Sequence, residues 1–249
     1  MVRAIVLALS VAQFLAVAIQ YAGNASSLLP ERNASQGQCS LMKTLPNANQ
    51  FHVGVSNFHW VNSSNCGRCV QVQCSNCSTS LKITAQVSDK CPHCQLHDLS
   101  MSQPMHSALF GTSLNGTMHW NFIDCPVDDA MSICMNHNFT KNSIVVQPVN
   151  TVNGVHNMSI NNIPAILSTK KYFFKATLPK NTTTQLLTLS MSSIFGETIT
   201  VNTQLFPGNC TPIHIQFHPQ NNLFFQSYNT ANTSTTIQPT IDPNTIVFP

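Results

Sequence analysis

The amino-acid sequence predicts a secreted, disulfide-bonded protein made of two all-β domains. Many short segments alternate apolar with polar residues or are rich in β-branched residues, which is typical of strands. Ten cysteines follow an apolar N-terminal segment, and cysteines in an exported chain usually pair as disulfides. About 225 residues remain after that segment, which exceeds the usual size of one small β domain and favours two.

The N-terminal 23 residues are predicted to be a signal peptide. Arg3 precedes an apolar run over residues 4–18, and small residues follow it, with cleavage expected between Ala18 and Ser27. A membrane-spanning helix needs about 20 apolar residues, whereas this run is shorter and Gln13 interrupts it. No later segment has the length and apolarity of a membrane span. We therefore expect a secreted protein, extracellular or in a cell wall, that does not bind membranes.

Strand-like segments follow one another along most of the chain, separated by Gly, Asn and Pro. They are CVQVQC, LKITAQVS, MHWNFIDC, NSIVVQPVN, KKYFFKATL, TQLLTLSMS and ETITVNTQL. One helix is predicted over residues 101–110, with Ser100 as its N-cap. The pattern indicates β domains with little helix.

The acidic segment CPVDDA, residues 125–130, is the best candidate for the domain boundary, because it follows the dense cluster of cysteines. We assign the first domain to residues 24–127 and the second to residues 128–207. Residues 208–249 are rich in Ser, Thr, Asn and Pro without periodicity, which predicts a flexible tail.

Three Cys-x-x-Cys units, CGRC, CSNC and CPHC, allow three interpretations. Paired units of this kind occur in zinc ribbons, and His93 and His97 offer further ligands. The unit CPHC also resembles a redox motif, although the strand and long helix of such a site are not predicted around it. The signal peptide and the even number of cysteines favour disulfides, so we expect no metal.

The weak charge and the many glycosylation sequons also fit an exported protein. Charged residues make up 8% of the chain and the net charge is +3, with no cluster of Lys and Arg that would suit a nucleic acid. Ten N-x-S/T sequons are present, and the one at Asn24 lies within the range in which we expect signal cleavage. We predict glycans at the other nine: Asn33, Asn62, Asn76, Asn115, Asn138, Asn157, Asn181, Asn209 and Asn232.

The ordered motifs CGRCVQVQC, VSDKCPHC, HDLS and MHWNFIDCPV resemble the first domain of expansins and expansin-like proteins. The later segments KKYFFKATL and SSIFGETITVNTQL are similar to the last strands of the second expansin domain. Together the motifs span residues 39–206. The resemblance implies an all-β fold, in which a six-stranded double-psi β-barrel precedes an immunoglobulin-like β-sandwich.

The resemblance also implies a set of disulfides. By analogy with the family, Cys39 pairs with Cys66 and Cys69 pairs with Cys125. Short local links join Cys74 to Cys77 and Cys91 to Cys94. Parity leaves Cys134 with Cys210, which would tie the first strand of the sandwich to its end.

In the matching family, Asp89 and Asp98 would be the two carboxylates on the floor of an open glycan groove. Asp98 resembles the general acid of glycan-cleaving enzymes on the same barrel, including lytic transglycosylases. The structural alternatives are that Asp98 caps the following helix and that Asp89 holds a turn. As substrate-binding candidates we add Trp60, His93, Ser88 and Ser100, and we expect Trp120 in the core.

Two features argue against a strong cellulose-binding hydrolase. The strand KNSIVVQPVN lacks the aromatic pair that the family uses to stack on pyranose rings. Inverting hydrolysis needs a second carboxylate at about 6.5–9.5 Å; Glu31 is a remote candidate, and Asp124 is better suited to a turn.

These arguments predict a protein that binds a cell-wall or extracellular polysaccharide and loosens it without hydrolysis, as a monomer without a cofactor. The alternatives are a glycan-cleaving enzyme with Asp98 as general acid, and a non-catalytic structural or surface-coat protein on the same barrel.

Overall fold

The structure, a computed structural model, describes residues 19–28, 32–77, 80–113, 115–137, 142–179 and 186–220. Fourteen strands in these ranges form a six-stranded closed barrel followed by a curled eight-stranded sheet. Only two short α-helices accompany them in the described residues. The predicted all-β class and its order, barrel before second β domain, are confirmed.

The barrel contains two parallel strand pairs within an otherwise antiparallel sheet. Its order is β1-β5-β2-β4-β3-β6, and β6 pairs with β1 to close it. The pairs β1–β5 and β2–β4 are parallel. The strands are β1 (Tyr21–Ser27), β2 (His52–Ser56), β3 (Cys69–Cys74), β4 (Lys82–Cys91), β5 (Leu99–Met101) and β6 (Asn115–Ile123).

Strand alternation places one apolar face inside the barrel. Val70 and Val72 of β3 are fully buried, and so are Met118 and Trp120 of β6. The residue between the latter two, His119, is exposed, as the period of two requires. The prediction that Trp120 belongs to the core is therefore confirmed.

The helices are short and lie beside the barrel strands. Helix α1 (Asn57–Trp60) follows β2 directly, and α2 (Gln103–Phe110) follows β5. The N-cap of α2 is Ser102, whereas we predicted Ser100. Ser100 lies in β5 instead, and this places its side chain near the site described below. Two single-turn 3-10 helices occupy Ala34–Gln36 and Val61–Ser63.

The second domain is a single hydrogen-bonded sheet that folds over on itself. Its order is β13-β12-β9-β10-β11-β8-β7-β14. The strands are β7 (Ser132–Met135), β8 (Ser143–Val149), β9 (Val155–Ile160), β10 (Ile163–Leu167), β11 (Phe174–Thr177), β12 (Leu187–Ser193), β13 (Thr198–Thr203) and β14 (Cys210–Pro212).

The eight-stranded sheet bends at strand β10 into two layers, so that it forms a sandwich. The first half of β10 pairs with β9 and its second half pairs with β11, so the chain passes from one layer to the other within five residues. Strands that change layer in this way form the corners of β-sandwiches. Asn161 and Asn162 both have positive φ in the β9–β10 turn, which is the geometry that a two-residue hairpin favours.

Both ends of the folded region differ from the predicted boundaries. Tyr21, Ala22 and Gly23 pair with β6, although we had placed them in the signal peptide. A signal peptide that leaves β1 intact would have to be cleaved before Tyr21, and the A-x-A pattern that ends at Ala18 offers such a site. At the other end, β14 pairs with β7 and Phe217 is 1% exposed, so a tail that begins at residue 208 is wrong. Residues 1–18 and 221–249 lie outside the described ranges.

All ten cysteines form disulfides. The five pairs are those that the resemblance implied: Cys39–Cys66, Cys69–Cys125, Cys74–Cys77, Cys91–Cys94 and Cys134–Cys210. The three Cys-x-x-Cys units therefore supply disulfide sulfurs rather than free thiolates. Four pairs lie in the barrel, and the fifth ties β14 to β7.

The predicted boundary at 127/128 falls between β6 and β7, and polar contacts connect the two domains across it. The fully buried Gln147 of β8 donates to the carbonyls of Ser40 and Tyr172 and accepts from the Met42 amide at 2.6 Å. Trp60 donates its indole N–H to the Thr169 carbonyl at 3.1 Å. Since a buried amide left without partners would be costly, Gln147 helps to fix the barrel against the sandwich.

Six of the predicted glycosylation sites are described, and each of them is exposed: Asn33, Asn62, Asn76, Asn115, Asn157 and Asn209. Asn138, Asn181 and Asn232 lie outside the described residues. A sequon must be exposed to be glycosylated, and these six are. Exposure alone does not show a glycan, so glycosylation stays a prediction.

Among the described residues, no helix combines the length and the apolarity needed to cross a membrane.

Candidate functional site

Four strands bring small and polar residues into one row across the barrel. Gly54 of β2 is paired with Asp89 of β4 on one side and with Ser100 of β5 on the other, and Ser100 is paired with Ser26 of β1. A Cβ at Gly54 would lie 2.5 Å from the Ser100 hydroxyl and 3.5 Å from the Asp89 Cβ. Only glycine therefore leaves room for both side chains at this point.

This row forms the floor of an open cleft of about 650 Å³, which we call the barrel cleft. One wall is the loop over residues 36–40, and the other is the turn over residues 90–93. The disulfide Cys91–Cys94 closes that turn. The two walls thus come from segments that the barrel topology and a local disulfide hold in place.

Asp89 is held rigidly but keeps one oxygen available. Its Oδ1 accepts hydrogen bonds from the backbone amides of Gln38 at 2.7 Å and Lys90 at 2.8 Å. No described residue donates to its Oδ2. The side chain is 8% exposed and lines the cleft. A carboxylate in this state can accept a hydrogen bond from a ligand hydroxyl without moving.

Asp98 does not line the barrel cleft, which differs from the single groove that we predicted for the two carboxylates. Its Oδ1 accepts from the Asn24 amide at 2.7 Å, and its Oδ2 accepts from the Gln95 amide at 3.1 Å. The side chain thereby ties the start of β5 to β1 and closes the preceding turn. It does not cap α2, which begins five residues later at Gln103.

Three further candidate residues have distinct outcomes. Ser100 and the exposed His93 line the cleft, as we predicted. Ser88 is fully buried, and its hydroxyl has no hydrogen-bond partner among the described residues. The prediction of Ser88 as a ligand-binding residue is wrong, because pairing with β2 skips Ser88 at a β-bulge and directs Asp89 to the cleft instead.

Trp60 is also buried, at 4% exposure, and its indole faces the second domain. The predicted stacking role for Trp60 is therefore wrong. The exposed aromatic residue of SNFHW is Phe58, whose side chain is 60% exposed. The Asn57 amide group reaches the Pro92 carbonyl at 3.5 Å, so α1 lies beside the turn that forms one wall of the cleft.

Beside Phe58 lies a cluster of packed rings, which we call the ring cluster: His59 and Trp120 are buried, and Tyr21 and His97 are half-buried. His59 Nε2 lies 2.9 Å from His97 Nδ1, and Tyr21 packs against both imidazoles. The Trp120 indole N–H donates to the His97 carbonyl at 2.8 Å. Burial, together with His97 and Arg68, lowers the pKa of His59 to about 4, so at neutral pH this imidazole is uncharged.

The barrel cleft is rich in cations. Its lining includes Arg32, Lys90 and Lys171, while Asp89 is the one carboxylate among the described lining residues. Lys171 comes from the second domain, and its carbonyl accepts a hydrogen bond from the buried Ser63 of the barrel. Sequence reasoning missed Arg32 and Lys171, because they are far from Asp89 along the chain and no local motif marks them.

The fold of this chain is similar to that of solved expansin structures. The structure of apo expansin from Clavibacter michiganensis matches with a TM-score of 0.71 and 18% identity over 81% of this chain and 99% of the expansin. The chain has the expansin fold. A mutant of the same expansin in complex with cellohexaose matches equally well, with a TM-score of 0.71 and 18% identity over the same shares of both chains. No protein-family model and no curated protein sequence matches the chain.

Proposed function

We propose that this protein is secreted and binds an extracellular or cell-wall polysaccharide in the barrel cleft, where it loosens contacts between chains without cleaving them. The observation that carries the proposal is the pre-positioned Asp89, which offers an oxygen to an open cleft on the expansin fold. The cellohexaose bound to the expansin mutant supports a glycan as the class of ligand.

Hydroxyl groups of a sugar would find matching partners in the cleft. Asp89 Oδ2 accepts, the Ser100 hydroxyl can donate or accept, and the side-chain amides of Gln36 and Gln38 can do both. The bond to the Asp89 carboxylate is charge-assisted and contributes about 1.5–3 kcal/mol, whereas the neutral bonds contribute about 0.5–1.5 kcal/mol each. Phe58 follows Asn57, whose amide group reaches the Pro92 carbonyl, and adds an exposed aromatic ring outside the cleft lining; the apolar C–H face of a pyranose can stack on such a ring.

The chemistry of the cleft favours binding over hydrolysis. One positioned acid contributes roughly 10²–10⁴ in rate, whereas enzymes reach about 10⁶ or more over the uncatalysed reaction. Asp89 is the one carboxylate among the described lining residues, and both oxygens of Asp98 accept backbone hydrogen bonds. Glu31, the remote second carboxylate that we considered, lies outside the described residues.

The disulfides and the exposed sequons support secretion. Five disulfides form and persist in oxidising compartments, and the exposed sequons are compatible with passage through the secretory pathway. The site as proposed requires no cofactor, and the protein would act as a monomer.

The test is a binding and cleavage assay with the full-length glycosylated protein. Wild type should bind insoluble or arrayed glycans and release no reducing sugars, and Asp89→Asn should weaken binding while it keeps the fold. Soluble oligosaccharides that accumulate with wild type and disappear with Asp98→Asn would establish the glycan-cleaving alternative instead. A folded protein that binds no glycan would favour the structural or surface-coat alternative.

A further inference from the structure

The barrel cleft concentrates positive charge in a protein that has little charge elsewhere. The whole chain contains 11 Lys and Arg residues among 249, and three of them, Arg32, Lys90 and Lys171, line this one cleft. They arrive from three separate parts of the fold: the segment before the first 3-10 helix, strand β4, and the β10–β11 connection. Because these positions are distant in sequence, only the tertiary fold brings the three cations together.

No carboxylate among the described residues forms an ion pair with these three cations. The one ion pair among the described residues joins His218 to Glu197 in the second domain. Asp89 is the carboxylate nearest to Lys90 in the chain, but its Oδ1 is bound to the backbone amide of Lys90 rather than to its ammonium group. The Lys90 ammonium instead lies 5.8 Å from the ring centre of Trp60. The described lining thus carries three cations against one carboxylate.

One of the three cations, Lys171, belongs to the second domain. Its carbonyl accepts from Ser63 at 3.2 Å, and the Tyr172 amide donates to the Cys39 carbonyl at 3.1 Å. Both contacts fix the backbone around Lys171 against the barrel, although the side chain itself is exposed. The neighbouring Lys170 is equally exposed but does not line the cleft.

We propose that the barrel cleft selects an anionic polysaccharide, one that bears carboxylate or sulfate groups, over a neutral glucan. This inference rests on the proposed function and adds the substrate class to it. The polymer hydroxyls meet Asp89 Oδ2 and Ser100 on the floor, while the anionic groups meet Arg32, Lys90 and Lys171 on the walls. A cleft lined by one sign of charge also raises the local concentration of a polymer of opposite charge.

The closing experiment measures affinity for a charged polymer and its neutral twin. The full-length glycosylated protein is titrated at low salt with polygalacturonate, with the same polymer fully methyl-esterified, with dextran sulfate, which carries sulfate but no carboxylate, and with cellohexaose. We expect tighter binding of polygalacturonate or dextran sulfate than of the two neutral ligands. The difference should shrink as salt is raised from about 0.01 to 0.5 M, because the Debye length falls from about 30 Å to below 10 Å. The arm that binds more tightly identifies carboxylate or sulfate as the natural group.

Matched variants assign the effect to the cleft. Lys171→Gln, Lys90→Gln and Arg32→Gln should each weaken binding of the anionic polymer roughly two- to fivefold, as exposed ion pairs do, and should weaken binding of the neutral twin less. Lys170→Gln, the adjacent control outside the cleft, should leave both affinities unchanged.

Three results would overturn the proposal, and they differ in what they leave standing. Affinities for both anionic polymers that do not exceed those for the two neutral ligands, with Asp89→Asn still impairing binding, would refute the anionic class and keep glycan binding. Equal losses from Lys170→Gln and Lys171→Gln would reveal nonspecific attraction to the whole surface. Failure to bind any of the four ligands would remove this inference together with the proposed function.

Discussion

Asp89 and Asp98 are the same residue type, separated by nine positions in the chain, yet the fold places them in different surroundings. Asp89 directs one oxygen to two backbone amides and leaves the other facing the barrel cleft. Asp98 uses both oxygens for backbone amides, one on β1 and one in its own turn. The contrast shows that the supply of nearby backbone N–H groups differs between these two carboxylates, and that the one with a free oxygen lines the cleft.

The same contrast extends to their surroundings. Beside Asp98 lies the ring cluster, in which Tyr21, His59, His97 and Trp120 pack on one another. Around Asp89 lies an open cleft with polar and cationic walls. Changes in the first region should therefore affect stability, and changes in the second should affect binding.

The largest effect is expected from Asp98→Ala. Removing the carboxylate leaves the Asn24 and Gln95 amides without their partner, and two lost charge-assisted bonds correspond to about 3 kcal/mol in the free energy of unfolding. For a chain of this size, that corresponds to a fall in Tm of roughly 6–12 °C, measurable by calorimetry. The matched variant Asp98→Asn keeps one acceptor and should lose less. If Asp98→Asn kept its Tm and still lost glycan binding, Asp98 would belong to the site.

Acid should destabilise the protein through His59. The pKa of this imidazole is about 4 in the folded state and about 6.5 in the unfolded chain. Between pH 6.5 and pH 4 the unfolded chain therefore takes up a proton that the native His59 does not, so stability falls as the pH falls. Because His59 is 4% exposed, solvent screens its charge little. We therefore expect the free energy of unfolding to fall by an amount on the order of 2 kcal/mol across this window.

Denaturant titrations at pH 7 and pH 4.5 measure this loss. His59→Phe keeps a ring in the cluster and removes the titration, so its stability should depend less on pH. His93→Gln, which changes an exposed histidine, is the control and should match wild type. Identical pH profiles for His59→Phe and wild type would show that another group is responsible.

Asp89→Asn should affect binding rather than stability. The amide oxygen can still accept from the Gln38 and Lys90 amides, whereas an NH₂ group replaces the free Oδ2 and cannot accept from a sugar hydroxyl. A lost charge-assisted bond predicts about tenfold weaker glycan affinity, with a Tm close to that of wild type. Calorimetric titration and thermal unfolding of the same sample separate the two quantities. A large fall in Tm with unchanged affinity would reverse the roles assigned to the two aspartates.

Phe58→Ala should produce the smallest effect and sharpen the comparison within α1. Phe58 is exposed while Trp60, two residues later, is buried, so only Phe58 can stack on a sugar ring. Loss of one stacking contact predicts roughly a two- to tenfold reduction in glycan affinity and little change in stability. Phe195→Ala, an exposed aromatic substitution in the second domain, is the matched control. Equal effects of the two variants would place the stacking surface elsewhere.

Local sequence patterns determined much of the architecture. Apolar alternation predicts strands such as β3 and β6, since a strand with one face in a core must repeat every two residues. Residues 103–110 form the predicted helix after a serine cap, although the cap is Ser102. The disulfide pairs followed from the resemblance to expansins and from parity, because ten cysteines by themselves allow many pairings.

Only the tertiary structure decided which side chains reach the cleft. The bulge at Ser88 depends on how β4 pairs with β2, a strand about thirty residues earlier, and it determines that Asp89 faces the cleft while Ser88 is buried. The second domain covers Trp60 and brings Lys171 to the cleft wall. Residue types and periodicity are local properties of the chain. Exposure and the supply of backbone hydrogen-bond donors depend on distant segments. For that reason the sequence predicted both aspartates as site residues, whereas in the folded protein only Asp89 lines the cleft.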